Sequence, residues 1–313
     1  MDSLFEIPPG GDEATPGEVE QAKPFDEKTF VERTLCQFGL PYRDPGPDVS
    51  EWKRRNGRLH LTVNPYYDNL NRVHWAYGVY PRLLLMWITE QVVRGGEGVD
   101  PAARRVYFND SLRGFLEDLG VACNGKDAKR VQEQLRALAG SRFLRVEEVE
   151  TDEVSGVGIL NTVVAERAEL LWSRHDPEHT DPLVGRSYIQ LSEGFWRSIK
   201  DHPVPLERGV VRALRTRGGG GLALDVYDWL EMRLYLAQKR HERFPLRIGW
   251  ENLREQFGSD YKELRNFKPK FLAQLKAVQA EWFKFTYRSL KTHIEIRPIL
   301  DLEDSASAPT VAV

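Results

Sequence analysis

Two stretches of this chain, 140 residues apart, run through the same succession of residues. In each, a short segment contains Leu-Arg and closes on glycine: Leu112-Arg113 with Gly120, then Leu253-Arg254 with Gly258. A basic segment follows, reading QLRAL at 134–138 and QLKAV at 274–278, so that Gln134/Gln274, Leu135/Leu275, Ala137/Ala277 and Leu138/Val278 share one offset. Each basic segment leads into an aromatic-rich strand pattern, a polar turn and a second strand pattern. Short helix, turn, basic helix and hairpin is the order of a winged helix. Two copies in register predict an α+β chain built as two tandem winged helix-turn-helix domains.

Periodicity fills in the rest. Phe30, Val31, Leu35 and Phe38 fit one short amphipathic helix, and RLHLTV (58–63) alternates as a strand. PRLLLMWITEQVV (81–93) is apolar around most of its circumference, as a buried helix is. RRVYF (104–108) reads as a strand and 109–120 as a short helix, with Asp110 or Ser111 at its cap. A helix over 124–140 and a hairpin of 143–149 with 158–166 complete the first half. The second half reads SYIQL as a strand, SEGFWRSIK as a helix and a further helix after VPLE. The Gly run 218–221 reads as a flexible connector, and LDVYDWLEMRLYLAQ (224–238) as a helix capped by Asp225. FPLRI, WENLREQFG, a basic helix over 268–282 and a hairpin around Lys291 and Thr292 close the chain. The domain plan is an acidic disordered segment 1–25, a first module 26–172, a polar linker 173–185, a second module 186–300 and a loose tail 301–313.

A net charge of −3 conceals an uneven distribution. Residues 1–25 carry six acidic side chains against Lys23, whereas residues 239–297 hold fourteen Lys/Arg against seven Asp/Glu. A basic body between acidic tails fits a partner made of phosphates. In the first basic helix, Val131, Leu135 and Leu138 form the apolar stripe, with Lys126, Lys129, Glu133 and Arg136 opposite and Arg130 flanking. In the second, Phe271, Leu275, Val278 and Trp282 form the stripe; Ala273 and Lys276 lie opposite, with Lys270 and Gln274 beside them. Lys and Arg suit phosphate or guanine, Gln suits adenine, and a Glu accepts from the cytosine amino group. The candidate contacts to double-stranded DNA are therefore Lys126, Lys129, Arg130, Glu133, Arg136, Lys270, Gln274 and Lys276.

At this point five segments in order, YGVYPRLLLMWITEQVVR (77–94), DSLRGFLEDLG (110–120), IQLSEGFWRSIKDHPVPLE (189–207), LALDVYDWLEMRLY (222–235) and IGWENLREQFG (248–258), resemble the plasmid-encoded RepA replication initiators. The resemblance spans residues 58–300. It implies binding to plasmid origin repeats, recruitment of a host replicative helicase with its loader or initiator, control of copy number, and a possible homodimer whose state regulates initiation. The Gly run 218–221 departs from the Ser-Pro-type turn expected before LALD. No catalytic residue carries over.

Catalytic patterns are few. RTRGGGGLALD (215–225) lacks the lysine of a phosphate-binding loop, and no His-x-His accompanies Tyr66 and Tyr67. His175, Asp176, Glu178, His179 and Asp181 are the one ligand-like cluster, set in the expected linker. Two isolated cysteines, Cys36 and Cys123, fit neither a disulfide framework nor a zinc site and suit a cytoplasm. No apolar run is long enough to span a membrane. The expectation is a non-enzymatic, cofactor-free origin-binding protein. A repressor without initiation activity and a scaffold for acidic partners are the alternatives.

Overall fold

The structure is a computed structural model that describes residues 27–108, 113–114, 116–117, 120–122, 124–150, 154–171, 187–218, 220–258 and 261–299. The expected acidic segment, the linker with its His175 cluster, the tail, Cys123 and the caps Asp110 and Ser111 lie outside these residues. No helix among the described residues is long and apolar enough to cross a membrane.

The first strand departs from expectation. Phe30 and Val31 do not share a helix with Leu35 and Phe38: they lie in β1 (Lys28–Glu32), and α1 (Arg33–Phe38) begins after it. Aromatic and β-branched residues favour the extended state wherever a partner strand exists. Here the partner comes from far along the chain. Beyond α1, β2 (Trp52–Asn56) and β3 (Leu59–Asn64) form a hairpin, followed by the short pair β4 (Tyr66–Tyr67) and β5 (Val73–His74). Helix α2 (Val79–Arg94) is buried on nearly all sides, as its composition predicts. Strands β6 (Val99–Asp100) and β7 (Arg105–Tyr107) precede α3 (Gly125–Gly140), and β8 (Arg142–Glu150) and β9 (Ser155–Val163) form the expected hairpin. Of the expected helix 109–120, Arg113, Gly114, Leu116, Glu117 and Gly120 are described, with Leu116 buried.

The second half continues with β10 (Ala165–Glu169), β11 (Tyr188–Leu191), α4 (Glu193–Asp201), β12 (Pro203–Glu207), α5 (Arg208–Thr216) and α6 (Gly220–Lys239). Then come β13 (Leu246–Gly249), α7 (Trp250–Phe257), α8 (Leu264–Glu281), β14 (Phe285–Ser289) and β15 (His293–Pro298). The distant partner of β1 is β12, antiparallel from Lys28↔Glu207 to Glu32↔Pro203. Other sheets run β10-β11-β7-β6, β2-β3-β8-β9 and β13-β15-β14. The strands on either side of residues 172–186, β10 and β11, thus pair with each other, and β11 also pairs with β7. One apolar core extends from Leu83 and Trp87 in α2 to Trp229 in α6 and Phe271 in α8.

A buried ion pair joins the halves inside that core. Arg82 on α2 meets Asp225 on α6 through both oxygens, Nε to Oδ1 at 2.6 Å and Nη2 to Oδ2 at 2.7 Å, with both side chains at most 4% exposed. Nη2 also donates to the Leu40 carbonyl at 2.6 Å. This corrects two sequence expectations. Asp225 lies inside α6 rather than at its cap, because the helix starts at Gly220. Part of the Gly run serves packing: a Cβ on Gly221 would stand 2.9 Å from the Arg82 guanidinium carbon, too close for a side chain. Arg208 on α5 likewise bonds Glu90 on α2, which also takes Arg94 at 2.9 Å.

One turn beyond Asp225, Asp228 is 2% exposed, and its Oδ1 has no hydrogen-bond partner. Burial, and then the neighbouring Asp225 charge, push its carboxyl well above the ordinary value of 3.8; Arg82 opposes them and Glu231 adds to them. The folded chain therefore holds this proton more tightly than the unfolded chain. The group supports folding fully below about pH 3.8, and that support is lost as pH rises toward the folded value. Asp228→Asn, neutral at every pH, is expected to melt several degrees above the parent at pH 8, with the gap closing toward pH 4. Thermal melts across that range check it, and a gap independent of pH contradicts the assignment.

Candidate nucleic-acid interface

Helix α3 starts where a short polar side chain can replace the missing backbone partners. The Asn124 side chain accepts from the Lys126 and Asp127 N–H groups at 3.1 and 3.0 Å. Its apolar stripe is buried as expected, with Val131, Leu135 and Leu138 at 7%, 4% and 0% exposure. That stripe turns Lys126, Lys129, Arg130, Glu133 and Arg136 outward, and all five are exposed. Arg130 stands 3.9 Å from Asp127, whose Oδ1 also accepts the Tyr80 hydroxyl at 2.6 Å. Gln134 faces inward and accepts the Tyr77 N–H at 2.8 Å. The repeated glutamines therefore differ in role: Gln134 is a core acceptor, while Gln274 is half-buried at the edge of its helix.

Helix α8 begins at Leu264, four residues before the basic run suggested. Phe271, Leu275 and Val278 are fully buried and Trp282 nearly so. Phe271 stacks edge-on against Trp229 and Trp250, which fixes the rotation of α8 about its axis. Lys270, Ala273 and Lys276 consequently face solvent. Lys268 belongs to the scaffold instead: its Nζ donates to the Leu290 carbonyl at 2.7 Å and lies 4.7 Å from the centre of the Trp250 ring.

The two basic helices have different strand settings. Around α8, β13 precedes the helix pair and joins the following hairpin through β15, from Leu246↔Ile296 to Gly249↔His293. Arg288 near the end of β14 and Lys291 in the turn are exposed. Around α3, the corresponding strand β7 pairs with β11 and β6, and the hairpin β8–β9 is widened by β3 and β2. The outer strand β9 exposes Val157, Ile159 and Leu160.

The sequence reading passed over β2 and the turn that follows it, WKRRNGR at 52–58. Two signals were present: a cluster of basic residues and an Asn-Gly pair of the kind that turns hairpins. Arg54 packs its guanidinium over the Trp52 ring at 4.0 Å, while Lys53, Arg55 and Arg58 are exposed. The aspartates and glutamates of the described residues gather into no group able to hold a metal ion.

Comparison with known proteins gives three findings. The family model for the plasmid-encoded RepA protein matches residues 75–252, more than half of the chain; the match runs from just before α2 into α7 and stops short of α8. Among solved structures, domains 2 and 3 of RctB are similar with a TM-score of 0.55 at 10% identity, covering 86% of this chain and 99% of that one. A second structure of the same two RctB domains gives a TM-score of 0.49 at 10% identity, with 86% and 98% covered. At such identity the likeness concerns the fold. Comparison with curated protein sequences gives no match.

Proposed function

Since this chain belongs to the plasmid-encoded RepA family, we propose that it initiates replication of a plasmid by binding origin DNA repeats through two winged-helix modules. The observation that carries the reading is the presentation of α8. A short helix precedes it, a strand-paired hairpin follows it, and aromatic packing turns Lys270, Ala273 and Lys276 to solvent. Small residues between lysines let a helix approach the floor of a major groove while the lysines reach phosphates. Helix α3 repeats the arrangement with Lys126, Lys129, Arg130, Glu133 and Arg136, backed by β8–β9. In this reading the protein turns over no nucleotide. The packing of Gly221 against Arg82 supports a structural role for the Gly run instead of a phosphate cradle. Opening of the duplex follows from several bound copies bending it at flexible steps, and a host helicase with its loader then enters.

The expected result is sequence-specific duplex binding that weakens steeply with salt. About six phosphate contacts give a slope of log affinity against log salt near −5. Titration of origin and random duplexes at several salt concentrations measures both properties. A flat response, or equal affinity for the two duplexes, contradicts the reading. Replication of a plasmid carrying the gene and its flanking DNA separates an initiator from a repressor.

A further inference from the structure

We propose that the turn of the β2–β3 hairpin is a third contact on the duplex, in which Arg55 and Arg58 hold phosphates beside the second helix pair. The inference rests on the reading of α8 as a DNA-binding helix, and adds to it a contact that lies on neither basic helix.

The turn is tight and its cations are displayed. Asn56 pairs with Leu59, which leaves Gly57 and Arg58 as a two-residue loop, and Gly57 has φ +61, the conformation that favours glycine at the first loop position. Strand alternation puts Lys53 and Arg55 on the outer face, opposite Arg54 and Trp52. Arg55 Nε donates to the Gly57 carbonyl at 3.0 Å, and an Arg58 terminal nitrogen donates to the Glu150 carbonyl at 2.9 Å. Each guanidinium is thus steadied by one backbone oxygen and keeps its other N–H groups for an acceptor in solvent. Among the described residues neither arginine has a carboxylate partner, whereas Lys53 has Glu51. Two oriented arginines in one turn, each with N–H groups to spare, make a site for anionic oxygens, although Glu148 and Glu150 of the neighbouring β8 stand beside Arg58.

The fold places this turn at the second helix pair. The Gln37 carbonyl accepts two side-chain amides, from Asn56 at 3.2 Å and from Gln256 at 2.7 Å. Asn56 is the residue before the loop, and Gln256 is in the last turn of α7, just ahead of the connection to α8. That connection carries Lys262, also exposed. On this proposal a duplex seated on α8 extends to the hairpin turn beside α7. The turn also belongs to the sheet that contains β8–β9, the hairpin following α3. Duplex phosphates fit this surface better than a protein partner does. Within 51–60 no large hydrophobic residue is exposed; the exposed Val149, Val154 and Val157 belong to the adjoining β8–β9 hairpin, so the turn itself offers cations and no apolar centre.

A 30-base-pair duplex of random sequence is a sufficient probe, because phosphate contacts do not depend on sequence. Affinity and salt slope are measured for the parent, Arg55→Ala/Arg58→Ala, Arg55→Lys/Arg58→Lys and Lys270→Ala/Lys276→Ala, with a melting curve for each. The alanine pair is expected to lower affinity on the order of tenfold or more and to flatten the slope by about two, while the lysine pair keeps the parent slope. Parental affinity and slope in the folded alanine pair, with binding weakened in Lys270→Ala/Lys276→Ala, overturn the hairpin contact and leave the α8 reading standing. Parental binding in both overturns the two together. A loss without a change of slope also overturns the proposal, since it is not electrostatic. Should the alanine pair melt early, a photo-crosslinking side chain at position 53 decides: labelling of the duplex supports the contact and its absence overturns it.

Discussion

Asp225→Ala is expected to cost about 3–5 kcal/mol of stability, because it leaves a buried guanidinium without its counter-ion. Arg82 is 4% exposed and lies in the core shared by α2 and α6. Its contacts to backbone carbonyls, such as Leu40, remain after the substitution but carry no full negative charge. The empty carboxylate site is too enclosed for the surroundings to hydrate the cation freely. Arg82→Met together with Asp225→Leu removes both charges and should recover much of the loss, as apolar replacements of buried pairs do. Since the pair ties α2 to α6, both halves should lose stability together, in a single transition. Denaturant titration followed by fluorescence and by circular dichroism measures this. A loss below about 1 kcal/mol, or two separated transitions in the variant, would refute the structural role given to the pair.

Replacing Lys270 and Lys276 by Ala is expected to weaken duplex binding more than replacing Lys126 and Lys129. Residues 239–297 carry fourteen basic against seven acidic side chains, and α8 is surrounded by further exposed cations at Arg288 and Lys291. Around α3 the field is weaker: Arg130 shares its charge with Asp127, and Glu133 stands on the same face. If each lysine meets only phosphate, affinity falls similarly on all sequences and the salt slope drops by about one per residue. If one of them reads a base, discrimination at a single position relaxes by roughly 1–3 kcal/mol instead. All four lysines are exposed and lie off the buried stripes, so melting temperature should hardly move. Parental affinity and slope in both folded double variants would take these faces off the DNA.

The legible parts of the fold were those whose cause is local. The buried circumference of α2, the stripe Val131-Leu135-Leu138 and the hairpin β14–β15 follow from the spacing of apolar residues along a few turns or one hairpin. What escaped depends on residues distant in the chain. Thr29-Phe30-Val31 becomes a strand because β12 is there to receive it. Asp225 looked like a cap because its partner, Arg82, lies 143 residues away. The candidate DNA contacts were placed on exposed faces by the same periodicity that placed the stripes inside. Within the repeat itself, Gln134 shows the reach of local pattern: it matches Gln274 in sequence, yet the Tyr77 backbone draws it into the interior. The β2–β3 turn lacked any counterpart in the second half, so the repeat gave no reason to look there.

The pairing of β1 with β12 also sets a timetable for synthesis. Lys28 to Glu32 leave the ribosome well before their partners Pro203 to Glu207, about 175 residues later in the chain. At ~5–20 residues per second the wait is on the order of ten to thirty-five seconds. During it Phe30 and Val31, both nearly inaccessible in the finished protein, have no strand to cover them. The first half thus cannot complete itself while the second is still being translated, and a message cut short before residue 207 yields a polypeptide with an unpaired apolar edge. Such fragments are natural clients for chaperones and proteases.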